Sequence, residues 1–102
     1  MIRSRVIASL ISYADRLGAS AEGSAWHLFG SVERNDSGAS DIDVLVLCEN
    51  AAQADTLRRE IDRDGFELPI QLSLMTFEEA ASIDAVSLQG ADKIYPVPIG
   101  ST

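Results

Sequence analysis

Two aspartates separated by a single residue, Asp41 and Asp43, begin an apolar run that ends at Cys48. Alternate residues of a β-strand project from the same face, so both carboxylates would lie about 6–7 Å apart on one side of a sheet. Carboxylate oxygens suit Mg²⁺ and, through it, phosphate groups. Aspartate is also frequent in turns and at strand starts, so the pair alone leaves a purely structural role open.

A second candidate group, Gly30-Ser31, follows the apolar run Ala25–Phe29. Glycine allows the backbone to approach a ligand closely. Ser31 could offer a hydroxyl and a backbone N–H at a helix start, where phosphate binds favourably. Arg34 could add charge-assisted hydrogen bonds to phosphate, although a solvated loop arginine is an equally good interpretation. The Gly-Ser turn therefore favours phosphate binding beside the aspartates.

The sequence between residues 26 and 47 resembles the nucleotidyltransferase signature of the DNA polymerase beta superfamily. That signature comprises an apolar strand, Gly-Ser, a short spacer and Asp-x-Asp in a second strand, and the spacer here is Val32–Ser40. Within the superfamily the chain looks most like the minimal nucleotidyltransferases of prokaryotes. Many of those are encoded beside a helical HEPN protein as a toxin–antitoxin pair. Lys93-Ile94-Tyr95 also resembles their last strand.

The resemblance implies a nucleotidyltransferase fold and the transfer of a nucleoside monophosphate from a Mg²⁺-bound nucleotide, with ATP as the expected donor, to a hydroxyl. It further implies that the acceptor is a tyrosine of a HEPN-type toxin partner. Asp41 and Asp43 would be the catalytic metal ligands, and Gly30, Ser31 and Arg34 would bind the nucleotide. Divalent cations suit this chemistry because they neutralise the crowded negative charge around the attacked phosphate.

One position departs from the family pattern. Active members carry a third carboxylate on the next strand, on the face that looks at the first two, and the matching residue here is Gln71. An amide has no negative charge and is a poorer ligand for Mg²⁺. Glu67 would share that face, but it lies four residues away, about 13 Å by strand rise. The alternative function is therefore a catalytically degenerate nucleotidyltransferase fold that binds a partner protein as a non-enzymatic, antitoxin-like module.

Hydrophobic periodicity predicts the elements that position these residues. An apolar stripe at three- to four-residue spacing over residues 2–17 predicts a helix that Gly18 ends. Thr76, with Glu79 three residues later, predicts a capping box at the start of another helix. The whole pattern predicts one domain over residues 1–102, with an α/β (α+β) fold and a small mixed sheet flanked by helices. The other predicted elements are Ala25–Phe29, Asp41–Cys48, Ala51–Arg63, Glu67–Met75, a helix from Thr76 to about Leu88, and Lys93–Val97.

The charge balance limits the class of partner. The formal net charge is −8, from 16 acidic and 8 basic residues. A protein that grips a nucleic-acid backbone needs a basic face, so no extended nucleic-acid partner is expected. The acidity fits a basic protein partner or a metal ion, and solubility alone would also explain it.

Single residues and apolar runs predict where the protein resides and what fills its core. The one cysteine, Cys48, excludes an intramolecular disulfide and fits a reducing setting. Neither a signal peptide nor an apolar run of about 18 residues is visible, which predicts a cytoplasmic protein that does not enter a membrane. Cys48 and Trp26 are expected in the core. His27, the only histidine, is expected to be a packed or solvent-edge residue rather than a ligand.

Overall fold

The computed structural model describes residues 2–34 and 38–96. Within these residues, helices and four strands alternate along the chain, which confirms the predicted α+β class. The elements are α1 (Ile2–Leu17), a 3-10 turn (Gly18–Ala21), β1 (Ala25–Phe29), α2 (Gly30–Glu33), β2 (Ile42–Cys48), α3 (Ala51–Glu60), β3 (Ile70–Thr76), α4 (Phe77–Ile83), α5 (Ala85–Gln89) and β4 (Asp92–Tyr95).

The strands form one mixed sheet in the order β3-β2-β1-β4. β1 is antiparallel to both β2 and β4, whereas β2 is parallel to β3. A parallel pair needs a crossover connection, and α3 provides it between β2 and β3. β2 is thus an internal strand, which explains its nearly continuous apolar sequence after Asp43.

Most of the buried apolar side chains lie on one face of the sheet, where α1 and α3 cover it. Leu10 of α1 and Leu57 of α3 are both completely buried in this core. Burying a side chain of this size contributes about 1.5–3 kcal/mol, so this face accounts for much of the stability of the fold. The sheet residues that join the core are Trp26, Leu28, Ile42, Val44, Val46, Cys48, Ile70 and Ile94.

The opposite face of the sheet is covered only in part. Small side chains of α4 and α5 pack over Leu45 and Leu47. The next row of side chains consists of Phe29, Asp43 and Gln71, which the strand register places side by side. Phe29 and Asp43 are half-buried and Gln71 is exposed. The uncovered part of this face therefore carries an aspartate of the predicted site.

Arg3, in the first turn of α1, joins two segments that are distant from it in sequence. Its Nε donates to the backbone carbonyl of Glu33, at the end of α2, over 2.9 Å. Its Nη2 forms an ion pair of 2.8 Å with Oδ2 of Asp92, at the start of β4. α1 is thereby connected to the short helix that follows β1.

The third helix is shorter than its sequence predicts. α3 ends at Glu60 rather than at Arg63. Ile61 takes extended backbone angles (φ −76°, ψ 117°) and is buried in the main core. The chain leaves the helix where this side chain enters the core, and residues 62–65 form an exposed turn instead.

The edge strand also begins later than predicted. β3 starts at Ile70, not at Glu67. Pro69 has no backbone N–H to donate to a strand ladder, although its carbonyl accepts a hydrogen bond of 2.8 Å from the N–H of Ile42. Glu67 lies outside the sheet, where its side chain forms an ion pair of 3.3 Å with Arg5.

The C-terminal helix is capped as predicted but is divided in two. Thr76 and Glu79 form both hydrogen bonds of the capping box, at 3.0 and 2.9 Å. Asp84 then adopts left-handed angles (φ 53°, ψ 44°), which separates α4 from α5. Gly90 is left-handed as well and ends α5.

The last strand, β4, spans Asp92–Tyr95 and pairs with β1. Val97, the predicted end of this strand, lies outside the described residues. None of the helices in residues 2–34 and 38–96 has the length and apolar character that crossing a membrane requires.

Candidate functional site

The turn after β1 brings a glycine backbone against a carboxylate. Phe29 is extended, and Gly30 has a φ of +77°, a conformation that glycine adopts without steric penalty. A Cβ atom at Gly30 would overlap Oδ2 of Asp43. Glycine is therefore needed here both for the backbone angle and for the space that the carboxylate occupies.

Strand pairing explains why Asp43 reaches this turn. Asp43 is the partner of Phe29 in the antiparallel β1–β2 pair, so its side chain emerges beside the residue that precedes Gly30. Ser31 is half-exposed in the first turn of α2, and no side chain caps that helix. The structure thus places Gly30 directly against Asp43, with Ser31 as the next residue along the chain.

The electrostatics of Asp43 bring two further predicted residues into the site. The pKa of the Asp43 carboxyl is raised above its usual value, first by burial and then by the negative charge of Asp41. The positive charge of Arg34 opposes this rise in pKa. Charges act on one another over short distances in a hydrated protein, so Asp41 and Arg34 both lie near Asp43. The site therefore holds excess negative charge that a cation would relieve.

Asp41 lies just outside the sheet, because β2 begins at Ile42 rather than at Asp41 as the sequence predicts. The hydrogen bond from the N–H of Ile42 to the carbonyl of Pro69 fixes this start of the strand. Asp41 is half-exposed at the open end of the sheet. Asp41 is thus two residues before Asp43, just before the start of the same strand.

Gln71 occupies the place where a third carboxylate was expected. In the parallel β2–β3 pair it is the direct partner of Asp43, which confirms the register predicted from the sequence. Partners in adjacent strands lie about 5 Å apart, so the Gln71 amide is the nearest β3 side chain to the carboxylate on that face. Glu67 does not replace it, because Glu67 lies outside β3 and pairs with Arg5.

The donor set fits a cation that shares its coordination with a bound ligand. Among the described residues, no group of three or more His, Cys, Asp or Glu side chains is arranged to hold a metal ion. Mg²⁺ is commonly held by only one or two carboxylates, and waters and substrate phosphates complete its octahedral shell. Asp41 and Asp43 match that pattern, and Gln71 could add only a neutral oxygen.

Asp43→Asn is expected to raise the free energy of unfolding of the cation-free protein near neutral pH. The raised pKa means that the fold disfavours the charged form of Asp43, which asparagine cannot adopt. The gain should shrink as the pH falls through the pKa of Asp43, because the wild-type carboxyl is then neutral as well. Urea denaturation in EDTA over a pH series measures this difference.

Asp64→Asn is a matched control, because Asp64 is exposed in the turn after α3. The stability of the Asp64→Asn variant should follow that of the wild-type protein over the pH series. Adding Mg²⁺ should stabilise the wild-type chain and the control but not Asp43→Asn. A loss of stability in Asp43→Asn at neutral pH without cation would contradict the electrostatic description of the site.

Three other residues singled out in the sequence are buried, and two of them, Cys48 and Trp26, lie in the core as predicted. His27 is buried, and its pKa is lowered by burial and by the charge of Lys93, so the imidazole is neutral. Burial raises the pKa of the Cys48 thiol to about 11, which excludes a reactive thiolate at neutral pH. Trp26 is completely buried, and its indole N–H donates to Oγ of Ser24 over 3.0 Å.

A groove beside the aspartates has no counterpart in the sequence predictions. A cavity of about 90 Å³ opens between β3 and α5. The apolar side chains of α4 and α5 give only a weak signal for this groove in the sequence. The break that orients α5 is a left-handed residue, and this residue is an aspartate, Asp84, rather than the glycine that usually signals such a turn. We call this feature the α5 groove and define it by Phe29, Leu45, Ser73, Met75, Ile83 and Leu88.

A family model described as "Nucleotidyltransferase domain" matches residues 12–91, which is more than half of the chain. The matched region includes the Gly30-Ser31 turn, both aspartates of the site and Gln71. Comparisons with curated proteins and with solved structures return no match.

Proposed function

Because this chain belongs to the nucleotidyltransferase domain family, we propose that it transfers a nucleoside monophosphate from Mg²⁺-bound ATP to a hydroxyl of another molecule. The observation that carries the proposal is the contact between Asp43 and the Gly30 backbone, with Asp41 and Arg34 nearby. This arrangement combines a carboxylate site for a cation with a glycine turn for phosphates. In the proposal, residues 1–102 act as one such domain in the cytoplasm.

Each residue of the site has a separate role in the proposed reaction. Asp41 and Asp43 would hold Mg²⁺ through carboxylate oxygens, and the bound ion would neutralise charge on the phosphates. Ser31 would donate its hydroxyl and its backbone N–H to a phosphate. Arg34 would add charge-assisted hydrogen bonds. Gly30 keeps the Asp43 carboxylate against the phosphate-binding turn.

The proposed step is an in-line displacement at the α-phosphorus. A bond forms from the acceptor oxygen to the α-phosphorus, the bond to the bridging oxygen breaks, and pyrophosphate leaves. Gln71 can accept a hydrogen bond from the acceptor hydroxyl through its amide oxygen, but it cannot take the proton. In the proposal the proton passes to water, which makes the proposed transfer slow.

The proposed acceptor is a tyrosine hydroxyl on a HEPN-type protein partner, which would make the chain the antitoxin of a toxin–antitoxin pair. The support for this partner is the resemblance of residues 26–47 to minimal nucleotidyltransferases. A net charge of −8 also favours a protein with a basic surface over an extended nucleic acid.

A second candidate function rests on Gln71. An amide in the place of the third carboxylate fits a degenerate fold that neutralises a partner by contact alone. In that case the partner would bind with the same affinity whether or not the aspartates can hold a cation.

Transfer of label from α-labelled ATP to a purified HEPN-type partner tests the proposal. The full chain with Mg²⁺ should label the partner, and Asp41→Asn should lower the rate by about 100-fold or more, because one cation ligand is lost. Asp64→Asn, which removes an exposed carboxylate elsewhere, should label the partner at the wild-type rate.

Two outcomes would overturn the enzymatic proposal. Equal labelling by Asp41→Asn and the wild-type chain would show that the aspartates take no part in transfer. An unlabelled partner that binds both proteins with equal affinity would establish the contact-only function instead.

A further inference from the structure

We propose that the α5 groove docks a basic segment of a partner protein through one apolar anchor side chain, and that the docked segment presents the acceptor hydroxyl to the aspartates. Docking itself does not depend on catalysis. The statement about the acceptor rests on the proposed function.

The groove has the size and lining of a site for one apolar side chain. Its floor includes the buried Leu45, and at its mouth Ile83 and Leu88 are 56% and 76% exposed. Large apolar side chains that cluster at the mouth of a cavity mark an interaction site more often than scattered ones do. A space of about 90 Å³ is smaller than the ~150 Å³ cavity that holds benzene. An aliphatic side chain or the leading edge of one aromatic ring therefore fits, and a nucleoside does not.

The charge around the groove selects a basic partner. Residues 64–92, which include β3, α4 and α5, contain neither lysine nor arginine, and of the basic residues outside this segment Arg34 lies near Asp43. Asp84, which follows the groove residue Ile83, is exposed, and Glu78 and Glu79 are exposed in the first turn of the same helix, α4. A nucleic acid or an acidic segment would be repelled from this surface, whereas lysine and arginine side chains beside the anchor would be attracted to it.

The groove is close enough to the aspartates for one segment to reach both. Phe29, which lines the groove, is the strand partner of Asp43. Leu45 is two residues further along β2 on the same face, a rise of about 7 Å. Ser73 stands in the same relation to Gln71 on β3. A residue next to the anchor in the docked segment could therefore place its hydroxyl beside Asp43 and Gln71.

A peptide titration followed by ¹⁵N–¹H NMR of the full chain tests the docking. The probes are lysine-flanked pentapeptides with Phe, Leu, Met or Tyr at the centre. Shift changes are expected to cluster at Leu45, Ser73 and Leu88. Leu88→Ser should weaken binding about tenfold by removing apolar contact. Phe77→Ser is the matched control, because Phe77 is 42% exposed but lies outside the groove. The Phe77→Ser variant should bind the peptides with the same affinity as the wild-type chain.

Three results would overturn the docking proposal. The first is no shift change with any of the four peptides at about 1 mM, which corresponds to binding weaker than about 4 kcal/mol. The second is equal binding of peptides in which the central residue is alanine or the lysines are glutamates. The third is a change in the chemical shifts of the groove residues when the protein concentration is raised without peptide, if Leu88→Ser abolishes that change. A second copy of the chain would then be the occupant.

A docking peptide with a tyrosine next to the anchor separates this proposal from the proposed function. Label from α-labelled ATP on that tyrosine, lost in Leu88→Ser, would support both parts of the inference. Groove binding without label on any peptide would support docking, and it would contradict the statement about the acceptor if the HEPN-type partner is labelled in the same assay. If that partner is not labelled either, the result would contradict the proposed function.

Discussion

Gln71→Asp is expected to raise the rate of nucleotidyl transfer by about 100-fold. Gln71 is the direct strand partner of Asp43, so a carboxylate there would lie beside Asp43 on the same face of the sheet, with Asp41 just before the start of β2. Such a group can accept the proton of the attacking hydroxyl and can add a charged ligand for the cation. The measurement is the initial rate of label transfer from α-labelled ATP at fixed Mg²⁺.

Gln71→Asn is the matched control for this gain. It shortens the side chain as aspartate does but keeps a neutral amide, so its rate should stay close to that of the wild type. Because Gln71 is exposed, both variants should fold normally. If the Asp and Asn variants have equal rates, the missing charge at this position does not limit transfer.

Gly30→Ala is expected to lower the transfer rate by about 100-fold and to weaken the binding of Mg²⁺-ATP. The new methyl group would overlap Oδ2 of Asp43, so the carboxylate must move away from the turn. A displacement of about 1 Å in a catalytic group can cost 100-fold in rate. The positive φ adds about 1–2 kcal/mol of destabilisation for any residue with a Cβ. Rates and ATP affinity, measured below the unfolding transition, check this result.

Gly18→Ala and Gly90→Ala separate the two effects of that substitution. Both glycines have a positive φ, 59° and 61°, but a Cβ at either position would meet no atom within 4 Å. They should show a similar loss of stability with an unchanged rate of transfer. If all three variants lose activity in proportion to their stability, the contact between Gly30 and Asp43 has no specific role.

The sequence was sufficient for the features that depend on periodicity and on local hydrogen bonding. The alternation of side chains in the run that begins at Asp41 predicted the face of the sheet on which Asp43 lies. The same alternation in the next strand predicted that Gln71 would be the neighbour of Asp43. The Thr76 capping box follows from two residue types at a fixed spacing. Gly30 is recognisable as a turn residue, although its contact with Asp43 depends on how the strands pair.

The features that the sequence did not predict depend on tertiary packing or on unusual backbone angles. α3 ends before Ile61, whose apolar side chain fits the helical periodicity and is buried, but whose backbone is extended, and periodicity does not distinguish these two conformations. The break at Asp84 uses a left-handed conformation in a residue other than glycine, which is uncommon. The α5 groove follows from that break, so it could not be predicted from the sequence either.

The bonds of Arg3 have a consequence for how the protein can be divided. The region that matches the family model begins at residue 12 and stops at residue 91, so it omits Arg3 as well as its ion-pair partner Asp92. A fragment trimmed to those limits would leave the carbonyl of Glu33 without its donor and would remove β4 from the side of β1. Arg3 and β4 are therefore part of the packing around β1 although the matched region omits them, and a fragment made for study should include both.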